Sequence, residues 1–505
     1  MTSLVSLARC DSPSQAPYPA FPFGPGGPLP EFPQAEAGPP NPVFAAVRRC
    51  LYRLGLDRER FGTPAWNPLA DLIEPGQQVL IKPNWVLHAH AGGGSMDSLV
   101  THMSVLRPVL DYVLLALRSH GRVIIGDAPI QSADFARLVE AIGIARLLDG
   151  IQTGGVDVAV CDFRENTCEL DRHGRVLGHH SLPGSPDRYT TVDVGAQSLL
   201  EPVSEHAARF RVTNYDPSAM RQHHGRGRHE YLVAKAVLDS HVVIGVPKLK
   251  THRKAGLTCC LKNVVGINGS KDYLPHHRLG APVHGGDEYQ WPSAWKALGS
   301  RIADRLEISP RGMLAPVAIL GLRVCRRLAH HTARDPYSEG SWYGNDTIWR
   351  TVVDLNRVLE YARPDGNLAT TPQRKMLHIV DAVVCGGGEG PLRPDPVRAD
   401  LILAGRTAAA VDCCTARLVG LNPARIPLVR HALETVERQE DGPPEIRLID
   451  GDDPSQGLAP DSIRPVACLA PPSGWAGHVE LEHCPPSPVD RPVDYMDRQA
   501  ETAEA

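Results

Sequence analysis

Apolar positions along the chain fall into two alternating rhythms. Runs of strand length, at Val79 to Lys82, Arg122 to Gly126, Val156 to Cys161 and His241 to Val246, take turns with stretches of helical spacing such as Val105, Val109, Val113 and Leu117. That alternation predicts βαβ units and an α/β fold with a mostly parallel sheet. Tyr231 to Ser240 and Leu257 to Val265 also read as helices. After Asn345 or Asp346, either of which can cap a helix, the inward positions Ile348, Val352, Leu355 and Leu359 predict another. Strands follow at Met376 to Val384 and Leu401 to Ala404, separated by the glycine-rich turn Gly386 to Pro391, and a helix at Ala408 to Leu418.

The rhythm lapses in two places. Asp162 to Val194 is polar and turn-rich and is expected to make an antiparallel excursion. Residues 267–342 are expected to be an insertion or lid, in which Met313 to Cys325, followed by Arg326 and Arg327, reads as a packed helix or an amphipathic surface helix. With 505 residues the chain exceeds a single ordinary core. The expectation is two lobes, or one domain with a large insertion: an α/β lobe at 43–266, the insertion, and completion of the core at 343–465. The Pro-rich ends, 1–42 and 466–505, are expected to be disordered, the first as a mobile arm, and to offer a partner protein a binding segment.

Charge and cysteine usage narrow the classes. A net charge of −4 and a pI near 6.6 argue against a nucleic-acid binder. No stretch approaches the roughly 18 apolar residues of a membrane span. No signal-peptide pattern opens the chain, so a cytoplasmic, reduced protein is expected. No C-x-x-C pair occurs, which speaks against a ferredoxin-type iron–sulfur cluster.

Local charge differs from the global balance. Residues 211–278 hold twelve Lys or Arg against four Asp or Glu, with seven His. Ligands of open α/β sheets bind beyond the carboxyl ends of the strands, and three predicted ends are polar: Lys82-Pro83-Asn84, Gly126-Asp127, and Lys248 to His252. In an extended segment Lys248, Lys250 and His252 point to one side, and Lys262 returns from the following segment. Thr251, Thr258 and Asn263 add neutral hydrogen-bonding groups, and Asn345, Asp346 and Arg350 form a loop able to close over a substrate. His252, Lys262, Asp127 and Asp381 are the candidate catalytic groups. The imidazoles His224, His229, His276 and His277, with Glu389, are candidate ligands for a transition metal or other divalent cation, although their spacing fits no closed zinc motif.

Val79 to Asn84 together with the P-K-x-K-T-H, G-x-T and K-N-x-x-G pattern of Pro247 to Gly266 resembles the domain of unknown function 362 family. Ile379 to Ala382, Glu389-Gly390-Pro391 and Ala409 to Asp412 are similar to its carboxyl-terminal pattern, and His276 to Arg278 with Gly285 to Tyr289 to a longer subgroup. The resemblance does not by itself imply a reaction. The expectation is an enzyme acting on a small anionic or polyhydroxylated metabolite. The alternatives are a non-catalytic protein that binds and delivers a metal, cofactor or metabolite, and an interaction scaffold.

Overall fold

A computed structural model describes residues 2–10, 16–170, 176–184, 187–213, 216–310, 312–439, 445–482 and 484. The elements that position the site are strands β1 (Thr2–Arg9), β2 (Gln78–Pro83), β3 (Arg122–Asp127), β4 (Asp157–Asp162), β5 (Val242–Val246), β6 (Lys248–His252), β7 (Gly256–Thr258), β8 (Lys375–Glu389), β9 (Arg393–Gly405) and β10 (Glu445–Ile449). Around them lie helices α1 (Pro42–Arg53), α2 (Met103–Leu117), the four-residue α3 (Cys260–Asn263), α4 (Ala294–Ile308), α5 (Ala315–Thr332), α6 (Ile348–Tyr361), α7 (Ala408–Leu418) and α8 (Pro427–Gln439).

One ten-stranded sheet organises the chain in the order β10-β1-β9-β8-β5-β2-β3-β4, with β6 attached at β8 and β7 paired to β6. Strands β5, β2, β3 and β4 run parallel, as does β8 against β5. The hairpin of β8 and β9 and the pairing of β1 with β9 are antiparallel. The mixed α/β class with a mostly parallel sheet is thus the observed fold. Both expected lobes share this sheet.

Period-two alternation decides which core each strand residue joins. Val79 and Ile81 pack under α1 and α2, whereas Leu80 between them faces the side covered by α6 and α7; Val123 and Ile125 against Ile124 repeat the pattern. Each such buried aliphatic side chain stabilises the fold by about 1.5–3 kcal/mol relative to exposure. Helix α1 starts where Asn41 accepts the amides of Val43 and Phe44 and Pro42 occupies the first turn. Ahead of α6, two residues before its N-cap Thr347, Asn345 accepts the amides of Thr347 and Ile348 at 3.0 and 3.1 Å and so shapes the turn into the helix.

Several sequence expectations need correction. Residues 1–42 are not an arm free of the core: β1 lies inside the sheet between β9 and β10, with Val5, Leu7 and Ala8 buried, and Tyr18 reaches the core. Averaging over a Pro-rich stretch hid an eight-residue apolar strand. Residues 466–482 likewise pack, with Trp475 donating to the carbonyl of Arg253 at 2.6 Å; residues 485–505 lie outside the described residues. Cys468 and Cys484 form a disulfide, so not all thiols are reduced as expected. Of the helix expected from Tyr231 to Ser240, the first part belongs to the strand Arg228–Ala234 and only Lys235–Leu238 is helical, and Leu257 to Val265 begins as β7. The expected glycine turn belongs to the long strand β8, paired through Glu389 with Arg393.

Candidate functional site

The parallel strands end together, and a cavity of about 250 Å³ opens at that edge. Its lining includes Asn84 and Trp85 after β2, Asp127 at the end of β3, Lys250 and His252 on β6, Thr258 on β7, Lys262 and Asn263 on α3, and Gly266, Lys271, His276 and Glu389. The expectation that Lys250 and His252 share a cavity with Asp127 is met.

The motifs interlock before they meet any ligand. Lys82 Nζ bonds Asp127 Oδ1 at 2.7 Å and Asn263 Oδ1 at 3.3 Å, while Asn263 Nδ2 donates to the Lys82 carbonyl at 2.9 Å. The Trp85 amide donates to Asp127 Oδ2 at 2.6 Å. Asp127 is therefore held on both oxygens and acts as the anchor of the cavity wall. Gly266 packs against this pair so closely that a Cβ there would stand 1.7 Å from Asp127 Oδ1, which explains the glycine of K-N-x-x-G. Gly256 starts β7 with φ +78°, and a Cβ would also strike Trp475.

Short helix α3 presents Lys262. Asp412 on α7 accepts the amides of Cys260 and Leu261 at 2.8 and 3.1 Å and so fixes where α3 begins. Cys259, Cys260 and Asp412 are, among the described residues, the group of three metal-type donors that converge. Their present role is structural: the carboxylate already takes two amides, and burial pushes the Cys259 thiol up to about 11.

Four lysines line the cavity and differ in their partners. Lys250 donates to the Leu99 carbonyl, Lys254 to Thr213 Oγ1 at 2.9 Å and Lys271 to the Ala128 carbonyl at 3.4 Å. Lys262 has no protein partner among the described residues. Burial, together with the charges of Lys271 and Lys254, holds its amine down at about 7. Burial lowers Lys254 and Lys271 to about 8. The acids nearby are engaged: Glu389 meets Arg253 at 3.3 Å and the Ser473 amide at 2.7 Å, and Glu339 accepts from Thr213 at 3.0 Å.

The two cavity imidazoles carry opposite tautomers. His252 Nδ1 accepts the amides of Lys254 and Ala255, both at 3.1 Å, so the neutral ring bears its proton on Nε2. His276 Nδ1 lies 2.6 Å from the Leu274 carbonyl and must donate to it, leaving a lone pair on Nε2. Burial and then the Lys262 cation depress both rings well below the ordinary imidazole value. One neutral donor and one neutral acceptor therefore face a cationic cavity. Three lining residues also hold buried polar atoms without a partner: Asn84 Oδ1, Trp85 Nε1 and Thr258 Oγ1.

Other predicted residues sit elsewhere. Lys248 and Asp381 form a separate, fully buried pair at 2.8 Å, joined by the Tyr18 hydroxyl at 2.6 and 2.7 Å. Regular alternation fails because the register slips: Lys248 stands opposite Asp381, but Lys250 opposite Gly386. Thr251 donates to the Gly388 carbonyl at 2.8 Å. Asn345 shapes the turn into α6, and Asp346 and Arg350 pair with each other at 3.1 Å. His224 and His229 contact each other at 3.3 Å, His229 also meeting Glu201, while His277 is buried with Nδ1 unpartnered. The five expected metal ligands thus form no three-donor cluster among the described residues. Trp85, Lys254 and Lys271 were missed. Lys254 continues the alternation of Lys250 and His252, a signal present in the sequence; Lys271 falls in residues 267–342, where the strand–helix rhythm lapses.

A sheet whose carboxyl edge carries paired motifs around a lysine-rich cavity defines an α/β protein with a cavity at its strand ends. Residues 79–192 and 176–417 match the family described as Domain of unknown function (DUF362), and the chain belongs to that family. No curated protein matches the chain. No helix among the described residues is long and apolar enough to cross a membrane.

Proposed function

We propose that the protein is an enzyme that holds a small carboxylate- or phosphate-bearing metabolite in this cavity and moves a proton on it. The observation that carries the reading is Lys262: a buried, cavity-lining amine with no acid partner among the described residues, flanked by other cations that favour its neutral form. Lys250, Lys254 and Lys271 supply the charge that receives the anion. His252 Nε2–H donates to the oxygen on which negative charge develops, and the Lys262 amine takes the proton as general base. His276 Nε2 is positioned as an acceptor for a substrate hydroxyl.

The test follows, by NMR in deuterium oxide, exchange of the C2 proton of 2-hydroxy acids and of the C3 protons of 2-oxo acids, with calorimetric binding of the same acids and of inorganic phosphate. The expected result is exchange that rises with pH through about 7 and falls at least about a hundredfold in Lys262→Met, with anion binding retained. Failure of the native chain to bind any of these anions sinks the reading. A delivery protein is the second reading, because His276 keeps a free Nε2 lone pair in the cavity. It predicts stoichiometric metal by elemental analysis, lost in His276→Ala, and no turnover.

A further inference from the structure

Of the large apolar side chains that the described residues leave exposed, nine of thirteen fall between Trp291 and Val324, in and beside the hairpin of α4 and α5. Met313 and Leu314 at its tip are 98% and 74% exposed, and Val317 and Leu320 on α5 are 68% and 63% exposed. Met313, Val317, Leu320 and Val324 recur at helical spacing, so they form one apolar stripe, and it faces solvent. Trp291, Trp295 and Leu298 are exposed at the start of α4.

The hairpin's other contacts are already satisfied. Its helices meet through Leu306, Ala315 and Leu322. Arg211 pairs with Asp304 at 2.8 Å and Ser300 donates to Glu288, tying α4 to the body of the protein, and Lys296 pairs with Asp335 at 2.7 Å, joining α4 to the segment that leaves α5. The exposed stripe therefore does not belong to the hairpin's own packing or to its attachment.

Charge indicates what covers it. Residues 291–332 carry seven Lys or Arg against two Asp or Glu in a chain of net charge −4. Arg323 and Arg327 are exposed and follow the apolar stripe along the same helix. A helix that lies in a lipid interface combines an apolar stripe with arginines and tryptophans, and the excess of positive charge beside this stripe complements an anionic surface. We infer that this hairpin is a docking site for an anionic phospholipid surface, with Met313, Leu314, Val317 and Leu320 entering the acyl boundary and the arginines meeting the phosphates. The segment after α5 leads directly to Glu339 and Ser341 on the cavity wall, so docking would hold the cavity close to the interface.

The experiment is sedimentation of the full chain with vesicles of phosphatidylcholine alone and of phosphatidylcholine mixed with phosphatidylglycerol, with vesicle-free analytical ultracentrifugation in parallel. Binding is expected to the mixed vesicles only, reduced by added salt. Val317→Glu/Leu320→Glu should abolish it, and Arg323→Gln/Arg326→Gln/Arg327→Gln should weaken it roughly a hundredfold. These positions are exposed, and an unchanged thermal melt confirms that each variant folds. The inference is overturned by equal or absent binding to both vesicles, or by a self-associated chain that Val317→Glu/Leu320→Glu converts to monomer.

Discussion

Lys248 and Lys262 are both buried lysines of the same motif, and they are handled in opposite ways. Lys248 Nζ lies 2.8 Å from Asp381 and 2.6 Å from the Tyr18 hydroxyl, with the Val384 carbonyl at 3.0 Å as a further acceptor. The two charges in that network face each other, and neither residue lines the cavity. Lys262 lines a cavity and has no acid beside it among the described residues. A buried charge without a partner costs the fold several kcal/mol unless it sheds its proton. The chain meets that cost at Lys262 by letting the amine go neutral near pH 7. The first lysine holds β6 to β8 and ties in the amino-terminal segment; the second is spent on the site.

The sharpest way to break this comparison is to remove one partner of the closed pair. Asp381→Ala leaves Lys248 charged, dry and uncompensated, and should destabilise the protein by about 3–5 kcal/mol in urea unfolding. A loss below about 1 kcal/mol would show that the pair does not hold the sheet as argued. Next in size is Gly266→Ala. Its methyl group cannot fit 1.7 Å from Asp127 Oδ1, and an overpacked core costs roughly 1–3 kcal/mol. Because the clash falls on the Lys82–Asp127 anchor, anion binding should weaken together with stability.

Lys262→Met tests the other half and should act with the opposite sign on stability. The folded value of Lys262, about 7, lies below its ordinary value of 10.5, so between those limits the unfolded chain binds more protons than the folded one. Stability contributed by this group therefore rises with pH from about 7 to 10.5 and is lost as pH falls back through that window. Lys254 and Lys271, both lowered to about 8, add rises of the same sign. Lys262→Met should flatten the stability profile measured by urea unfolding across this range and raise stability near neutral pH by about 1 kcal/mol, while removing the proposed proton transfer. Loss of stability at neutral pH would mean that Lys262 has a compensating partner after all.

How much of this was legible depended on whether the signal was local. Strands β2, β3 and β5 and helices α2, α6 and α7 follow from short-range periodicity, and the motif lysines and His252 from their place at strand ends. What periodicity cannot carry is register. Lys248 and Lys250 look equivalent in sequence, and only the slip between Asp381 and Gly386 on β8 separates structural from cavity lysine. Nor does composition resolve a short strand inside a Pro-rich stretch, as β1 demonstrates. The histidines misled for a related reason: local density of imidazoles is not convergence, and His224 and His276 end in different networks.

The rim provides the contrast that is smallest in binding and most discriminating. Asn345, Asp346 and Arg350 were expected to close over substrate, yet none lines the cavity. Asn345 Oδ1 accepts two amides at the start of α6, and Asp346 is a partly exposed partner of Arg350 and Arg278. Asn345→Ala should cost about 2–3 kcal/mol, because it removes the acceptor of two amides and the bonds that Nδ2 donates to the His276 and Gly340 carbonyls, and Asp346→Ala, which removes solvent-screened pairs, about 0–1 kcal/mol. Anion affinity measured by calorimetry should be unchanged in both. A tenfold loss of affinity in Asp346→Ala, at unchanged stability, would return this loop to the site and show that the cavity is completed by a closure over the ligand.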